Sequence, residues 1–326
     1  MTIKIATISL LLIVLSLAVS NPSQKLRGNL TKLTAQTENK EKKNAVQDIL
    51  DDSAKLEKVA GNFQFIEGPI WHPDGFLLFS DIPANIIYKL ASNQQVEIFR
   101  TPSGKANGNT LDKENRLLTG EHENRRVSRT EKDGKVITLA DKYEGKRLNS
   151  PNDLVVKSDG SIYFTDPSYG VTKDQEELGF YGVYLLAPDG KLTLLVKDLV
   201  LPNGIAFSPD EQKLYVNNSE AGYIAVFDVK PDGTVTNERL FADLKDASQS
   251  GVPDGLKVDV EGNVYTTGPG GVWIFSPDGK LLGKISVPET ATNVAWGESD
   301  RKTLYITANT SLYRIRLKIA GVRPGK

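Results

Sequence analysis

From about residue 53 onward the chain alternates. Apolar and polar positions trade places with a period of two in short runs, separated by turns rich in Gly, Asp and Pro. That pattern predicts half-buried strands joined by tight turns. Residues 151–166, PNDLVVKSDGSIYFTD, show the unit. A polar residue follows a turn-former, an alternating run comes next, then a Ser-Asp-Gly turn and a second run. This reads as a β-hairpin.

The same unit occurs six times: IEGPIWHPDGFLLFSD from Ile66, ANGNTLDKENRLLTGE from Ala106, PNDLVVKSDGSIYFTD from Pro151, PNGIAFSPDEQKLYVNN from Pro202, PDGLKVDVEGNVYTTG from Pro253 and ATNVAWGESDRKTLYIT from Ala291. Each places a polar residue second and an apolar residue four positions later (Trp71, Leu111, Val156, Phe207, Val258, Trp296). The copies recur every roughly 40–50 residues, the period of propeller blades. A second hairpin follows in most copies, as in VYLLAPDGKLTLLV from Val183. Two hairpins make four antiparallel strands, one blade. The sixth copy runs out after its third strand, near 312–319, while 56–65 is strand-like and unassigned. The expectation is an all-β, six-bladed β-propeller in which that N-terminal strand completes the last blade and closes the ring. A β-sandwich also has evenly spaced turns, but six matched offsets favour the propeller.

Rotation about a propeller axis turns one position of the repeat into a ring. The second position reads Glu67, Asn107, Asn152, Asn203, Asp254 and Thr292, each with a side-chain oxygen. Carboxylates and amide carbonyls are what Ca²⁺ accepts, whereas softer metals favour sulfur or imidazole. Turn chemistry by itself favours Asn-Gly, Asp-Gly and Glu-Gly. It accounts for one or two of these positions but not for an oxygen at all six.

The motifs EGPIW, NGNTLD, GEHENRRVSR, LNSPNDLVVKSDGSIYFTDPSYG, LPNGIAFSPDE and PDGLKVD together resemble the gluconolactonase branch of the senescence-marker-protein/gluconolactonase/luciferin-regenerating-enzyme family. The resemblance spans nearly all of 61–317. It implies a six-bladed propeller that hydrolyses sugar lactones with one divalent ion, usually Ca²⁺, with Zn²⁺, Mn²⁺ or Mg²⁺ as alternatives. It also implies metal ligands at Glu67, Asn152, Asn203 and Asp254, and a substrate contact at Asn107. One departure is Glu123, where relatives commonly have Gly. It puts the identity of the substrate in question more than the reaction.

For the proton taken from water, Asp254 is the first candidate, with a role as ligand alone the alternative. His122 is the other candidate base or a substrate contact. Lys105 and Arg126 could draw in anionic substrates, though solvated strand-edge charge is their default. Asp166 and Tyr169 shape the pocket rim or hold the turn after the strand. His72 reads as a surface turn residue, and the Asp of each Ser/Pro-Asp-Gly turn as structural.

Composition narrows the field. Basic and acidic residues balance at 40 against 41, so neither a nucleic-acid groove nor a polybasic membrane patch is indicated. There is no cysteine and only two histidines, which excludes thiolate chemistry and disfavours a multi-histidine metal centre. Residues 1–20 read as a secretory signal: Lys4, an apolar run over 5–19, and small residues at Ala18-Val19-Ser20. The run is short for a membrane span, which needs roughly 20 residues; an uncleaved anchor is the alternative. Residues 21–52 are polar and read as a flexible tether, with a short helix at its end. The catalytic domain is 53–326. The expected protein is exported, periplasmic or secreted, with a small lactone as its partner and no membrane span after cleavage. Competing readings are a propeller phosphotriesterase, since the same ion polarises P=O, and a non-catalytic ligand-binding propeller.

Overall fold

The structure, a computed structural model, describes residues 46–323 and Gly325. Its strands form six antiparallel sheets of four strands each, plus a two-stranded ribbon, Lys142–Tyr143 with Lys146–Arg147. The ribbon is an addition that the repeat did not predict. Five sheets use four consecutive strands. The sixth runs Glu57–Gly61, Ser311–Arg316, Thr303–Ala308, Ala291–Gly297.

In every sheet the strand carrying the repeated stretch lies at one edge. These six strands are Ile66–His72, Ala106–Leu111, Leu154–Val156, Pro202–Phe207, Leu256–Val258 and Ala291–Gly297. Each touches its counterparts in the two flanking sheets, and the last touches the first. The six edges therefore encircle one axis, and the architecture is a six-bladed β-propeller.

The inner strands are not half-buried as alternation predicts but covered on both faces by neighbouring blades. Six apolar clusters fill the six gaps between neighbouring sheets. In the third blade Tyr163 and Leu185 pack toward the fourth. Phe164 and Leu186 on the same strands pack toward the second. A sheet covered on both faces needs apolar residues at both parities, so its strands read as nearly continuous hydrophobic runs. The sixth position of every copy goes into one of these gaps, including Trp296 and, half-buried, Trp71. Outer strands face water, as in Val96–Arg100.

The turns behave as their composition predicts. Asp159 Oδ1 accepts from Ser161 N at 2.8 Å, and Gly160 takes φ +96°, a conformation that favours glycine. The signal segment and most of the expected tether lie outside the described residues. Of the tether's end, 46–49 forms one helical turn. Ile49 is buried between the fifth and sixth blades, and its carbonyl accepts from Lys318 N at 2.8 Å.

Candidate active site

The second-position residues lie where each inner strand enters the ring. Four of these strands carry a register shift there, between Glu67/Ile70, Ala106/Asn109, Pro202/Ile205 and Ala291/Asn293. A bulge re-aims side chains at a strand end. Neighbouring blades are laced together at this level. Asn109 Nδ2 donates to Gly68 O (2.9 Å), Gly108 N to Asn152 O (3.0 Å) and Thr165 Oγ1 to Asn203 O (2.8 Å). Gly204 N donates to Asp254 O (2.9 Å), Gly255 N to Thr292 O (2.7 Å) and Thr292 Oγ1 to Ile66 O (2.7 Å). The circuit closes on itself, so all six positions sit on one ring.

The third position of the repeat explains how tight that ring is. A Cβ on Gly204 would lie 2.2 Å from Asp254 O, and one on Gly108 2.4 Å from Asn152 O. Glycine stands here because the next blade's backbone leaves no room, which turn chemistry does not require. Asp153 and Asn293 hold this position in the other two blades. Asn293 Nδ2 donates to Glu67 Oε2 at 2.9 Å. Asp153 is buried, and its Oδ2 accepts from Lys257 Nζ at 3.1 Å.

Among the six ring residues only Asp254 is more than slightly exposed. Glu67 Oε2 also accepts from Gly68 N, but Glu67 Oε1 is buried without a partner. Burial, then the nearby Asp153 charge, pushes the Glu67 carboxyl up to about 7. Burial and the charge of Glu67 hold Asp254 well above the usual carboxylate range, against a hydrogen bond from Asn203. Asn203 Nδ2 donates to Tyr169 Oη at 3.1 Å. Thr292 differs from the other five: its hydroxyl is engaged with Ile66 O and Thr307. The sixth oxygen therefore laces blades together.

Asn107 Nδ2 lies 3.1 Å from His122 Nε2, and Asn107 Oδ1 is buried without a partner. The amide donates, so Nε2 accepts and the ring proton is on Nδ1. Burial, then the Lys105 charge, lowers His122 to about 4, so its imidazole is neutral at pH 7. Gly170 leaves it space, since a Cβ there would come within 2.5 Å of His122 Cβ.

Other residues singled out in the sequence are also placed. Arg126 is bound to buried Glu121 at 2.7 Å, which also accepts from Ser128 and Arg100. Arg126 thus braces the loop and is not solvated strand-edge charge. Glu123 is exposed and accepts from Asn85 Nδ2 at 3.1 Å, joining loops of the first two blades. Asp166 anchors Asn149 N at 2.8 Å and is pushed to about 7 by burial. His72 stacks on Phe76 beside a turn. Sequence reasoning missed Asp153, Lys257 and Asn293. The signal for the first and third was available: they are the two third-position residues that are not glycine.

These residues suit a hard cation. The mouth offers two carboxylates and amide oxygens, one carboxylate oxygen is buried and unpaired, and like charges face each other. A cation would use the first and relieve the other two. Glu67, Asn152, Asn203 and Asp254 are the residues that could hold it. Among the described residues no three His, Asp or Glu side chains cluster as a metal site; the set here is half amide. Nor, among the described residues, is any helix long and apolar enough to cross a membrane.

A closed six-bladed propeller with a polar, oxygen-lined mouth is thus the class that fold and site define. Residues 65–310 match the family described as the SMP-30/Gluconolactonase/LRE-like region, and the chain belongs to that family. It is 38% identical to a gluconolactonase of Zymomonas mobilis over 300 residues, covering 84% of each chain. It superposes on a solved gluconolactonase of Xanthomonas campestris with a TM-score of 0.78 at 36% identity, covering 84% of this chain and 92% of that one. A solved putative gluconolactonase gives a TM-score of 0.80 at 32% identity, covering 85% and 97%.

Proposed function

We propose that this protein is an exported, divalent-metal-dependent lactonase that opens sugar lactones of the gluconolactone kind, with Ca²⁺ as its ion. The observation that carries the metal reading is Glu67 Oε1, a carboxylate oxygen buried at the mouth without a donor. Leaving such an atom unpaired is costly. The names of the relatives support the lactone, and the apolar run over 5–19 supports export. On the same footing, the pairing of Glu57–Gly61 with Ser311–Arg316 is read as closure of the ring, with four strands to each blade.

A divalent cation held by Glu67, Asn152, Asn203 and Asp254 supplies Lewis acidity toward the lactone carbonyl and lowers the pKa of a water. The chain's own groups do the rest. Asp254, the one ring residue whose side chain is more than slightly exposed at the mouth, takes the proton of the attacking water. As the ring C–O bond breaks, it returns that proton to the departing ring oxygen, leaving a hydroxy acid. His122 accepts from Asn107 and so fixes the amide with Oδ1 free, able to accept from a substrate hydroxyl. Tyr169 steadies Asn203 from the rim.

The test is hydrolysis of D-glucono-1,5-lactone followed by acid release, with spontaneous opening subtracted. Activity lost on chelation, restored by Ca²⁺ and absent in Asp254→Ala supports the reading. No turnover with any divalent ion, for this or other lactones, overturns it.

A further inference from the structure

Beneath the mouth the fifth position of each copy faces the axis. Ile70, Thr110, Val155, Ala206, Lys257 and Ala295 all line one cavity of about 60 Å³. Five of the six are uncharged. The sixth, Lys257, turns its ammonium to Asp153 Oδ2 (3.1 Å) and to Leu256 O (2.9 Å). The Lys257 side chain is 19% exposed and that of Asp153 is buried. The other charged residues of the channel, Glu211, Arg301 and Arg323, also line this cavity. An ion pair with one carboxylate fully buried is expensive to desolvate unless it has electrostatic work to do. Its setting shows what that work is. Asp153 follows Asn152 directly in the chain, and its charge bears on both Glu67 and Asp254, while the Lys257 charge bears on Glu67 in the opposite sense.

With a cation at the mouth keeping Glu67 and Asp254 ionised, three carboxylates (Glu67, Asp153, Asp254) and one ammonium make a net charge of −2. We propose that the Lys257–Asp153 pair is the charge-setting element of the site. It fixes the field at −2 and so tunes the mouth to divalent over trivalent cations. This rests on the mouth binding a cation, as proposed above. Neither residue is placed as a ligand. They act through the field: Lys257 withholds one negative charge that Asp153 would otherwise add to the ring. Without the pair's balance the mouth would carry −3 or −1, and the preference between cations of different charge would move accordingly. At an effective dielectric near 20, one unit charge within about 10 Å alters relative affinity for ions differing by one charge roughly tenfold.

The experiment is calorimetric binding of Ca²⁺ and of Tb³⁺ to the purified protein, to Lys257→Met (−3), to Asp153→Asn (−1) and to the double variant (−2). Each variant's fold is checked by circular dichroism. The ratio of Tb³⁺ to Ca²⁺ affinity is expected to rise about tenfold in Lys257→Met and to fall about tenfold in Asp153→Asn. It should return to within about threefold of wild type in the double variant. A purely structural pair would weaken both ions together, with no opposite shifts and no rescue; that result overturns the proposal. If Lys257→Met does not fold, Asp153→Asn and the double variant still decide it. A wild type that binds neither ion overturns the cation reading itself and this inference with it. Binding with an unchanged ratio across the series overturns only this inference.

Discussion

Replacing Gly204 with alanine separates two accounts of the glycines that follow the ring residues. Gly204 does not have a left-handed backbone. If it served only as a flexible turn residue, alanine would restrict the unfolded chain and stabilise the protein by about 0.4–1 kcal/mol. The geometry predicts the reverse. The new Cβ would lie 2.2 Å from Asp254 O and 2.7 Å from Leu256 N, where ordinary contact begins at 3.4 Å. More than an ångström of movement must be found in the inner strand of the fifth blade. The Gly204 N to Asp254 O hydrogen bond lengthens or breaks, at about 1 kcal/mol. Overpacking adds about 1–3 kcal/mol. The two together cost about 2–4 kcal/mol, so at about 2–4 °C per kcal/mol Tm should fall by roughly 4–16 °C. The displaced residue is Asp254, and a misplacement of about 1 Å costs on the order of a hundredfold in rate. Thermal melts and lactone turnover read both effects. Gly190→Ala is the control: φ is +88° with open space around it, so it should lose about 1 kcal/mol of stability and keep its kcat. A Gly204→Ala protein with unchanged or raised Tm and kcat within twofold would refute the close-approach reasoning.

Other consequences follow from the same geometry. Thr292→Val strips a buried hydroxyl from Ile66 O and Thr307 and should cost about 1–3 kcal/mol in urea unfolding, while Ca²⁺ affinity by calorimetry stays within threefold. Asp254→Asn should lower kcat by about 10²–10⁴-fold with its circular dichroism unchanged. His122 has its folded pKa depressed from 6.5 to about 4. The unfolded chain therefore binds the extra proton first as pH falls, and stability is lost from about pH 6.5 down to about 4. The difference between wild type and His122→Gln in urea unfolding should carry that slope, approaching about 3 kcal/mol at pH 4; a difference independent of pH would contradict it. Ca²⁺ at about a hundred times its Kd should add about 2.7 kcal/mol to unfolding, and Asp254→Ala should lose most of that gain.

The propeller was legible because its repeat writes the same instruction six times. Trp71, Leu111, Val156, Phe207, Val258 and Trp296 each fall into an inter-blade gap, and any one of them alone would have been an ordinary apolar residue. The second-position column was legible for the same reason, since rotational symmetry converts a column of sequence into a ring in space. What the column could not carry is the identity of each oxygen's partner. Thr292 matches its counterparts in residue class, yet its hydroxyl is held by Ile66 O across the seam between the last blade and the first, a contact between residues 226 apart. Lys257 was hidden for a related reason. Within its own strand it alternates with Leu256 and Val258 and reads as the solvent side of a hairpin. Only the axis, where all six fifth positions converge, makes that side an interior. An ammonium there needs a carboxylate. Asp153, 104 residues away in sequence, supplies it because the third and fifth blades meet at the axis. Local alternation sets which face of a strand a residue takes; the closure of the ring decides whether that face meets water or other charges. The residues missed, Asp153, Lys257 and Asn293, were those whose environment is set by closure.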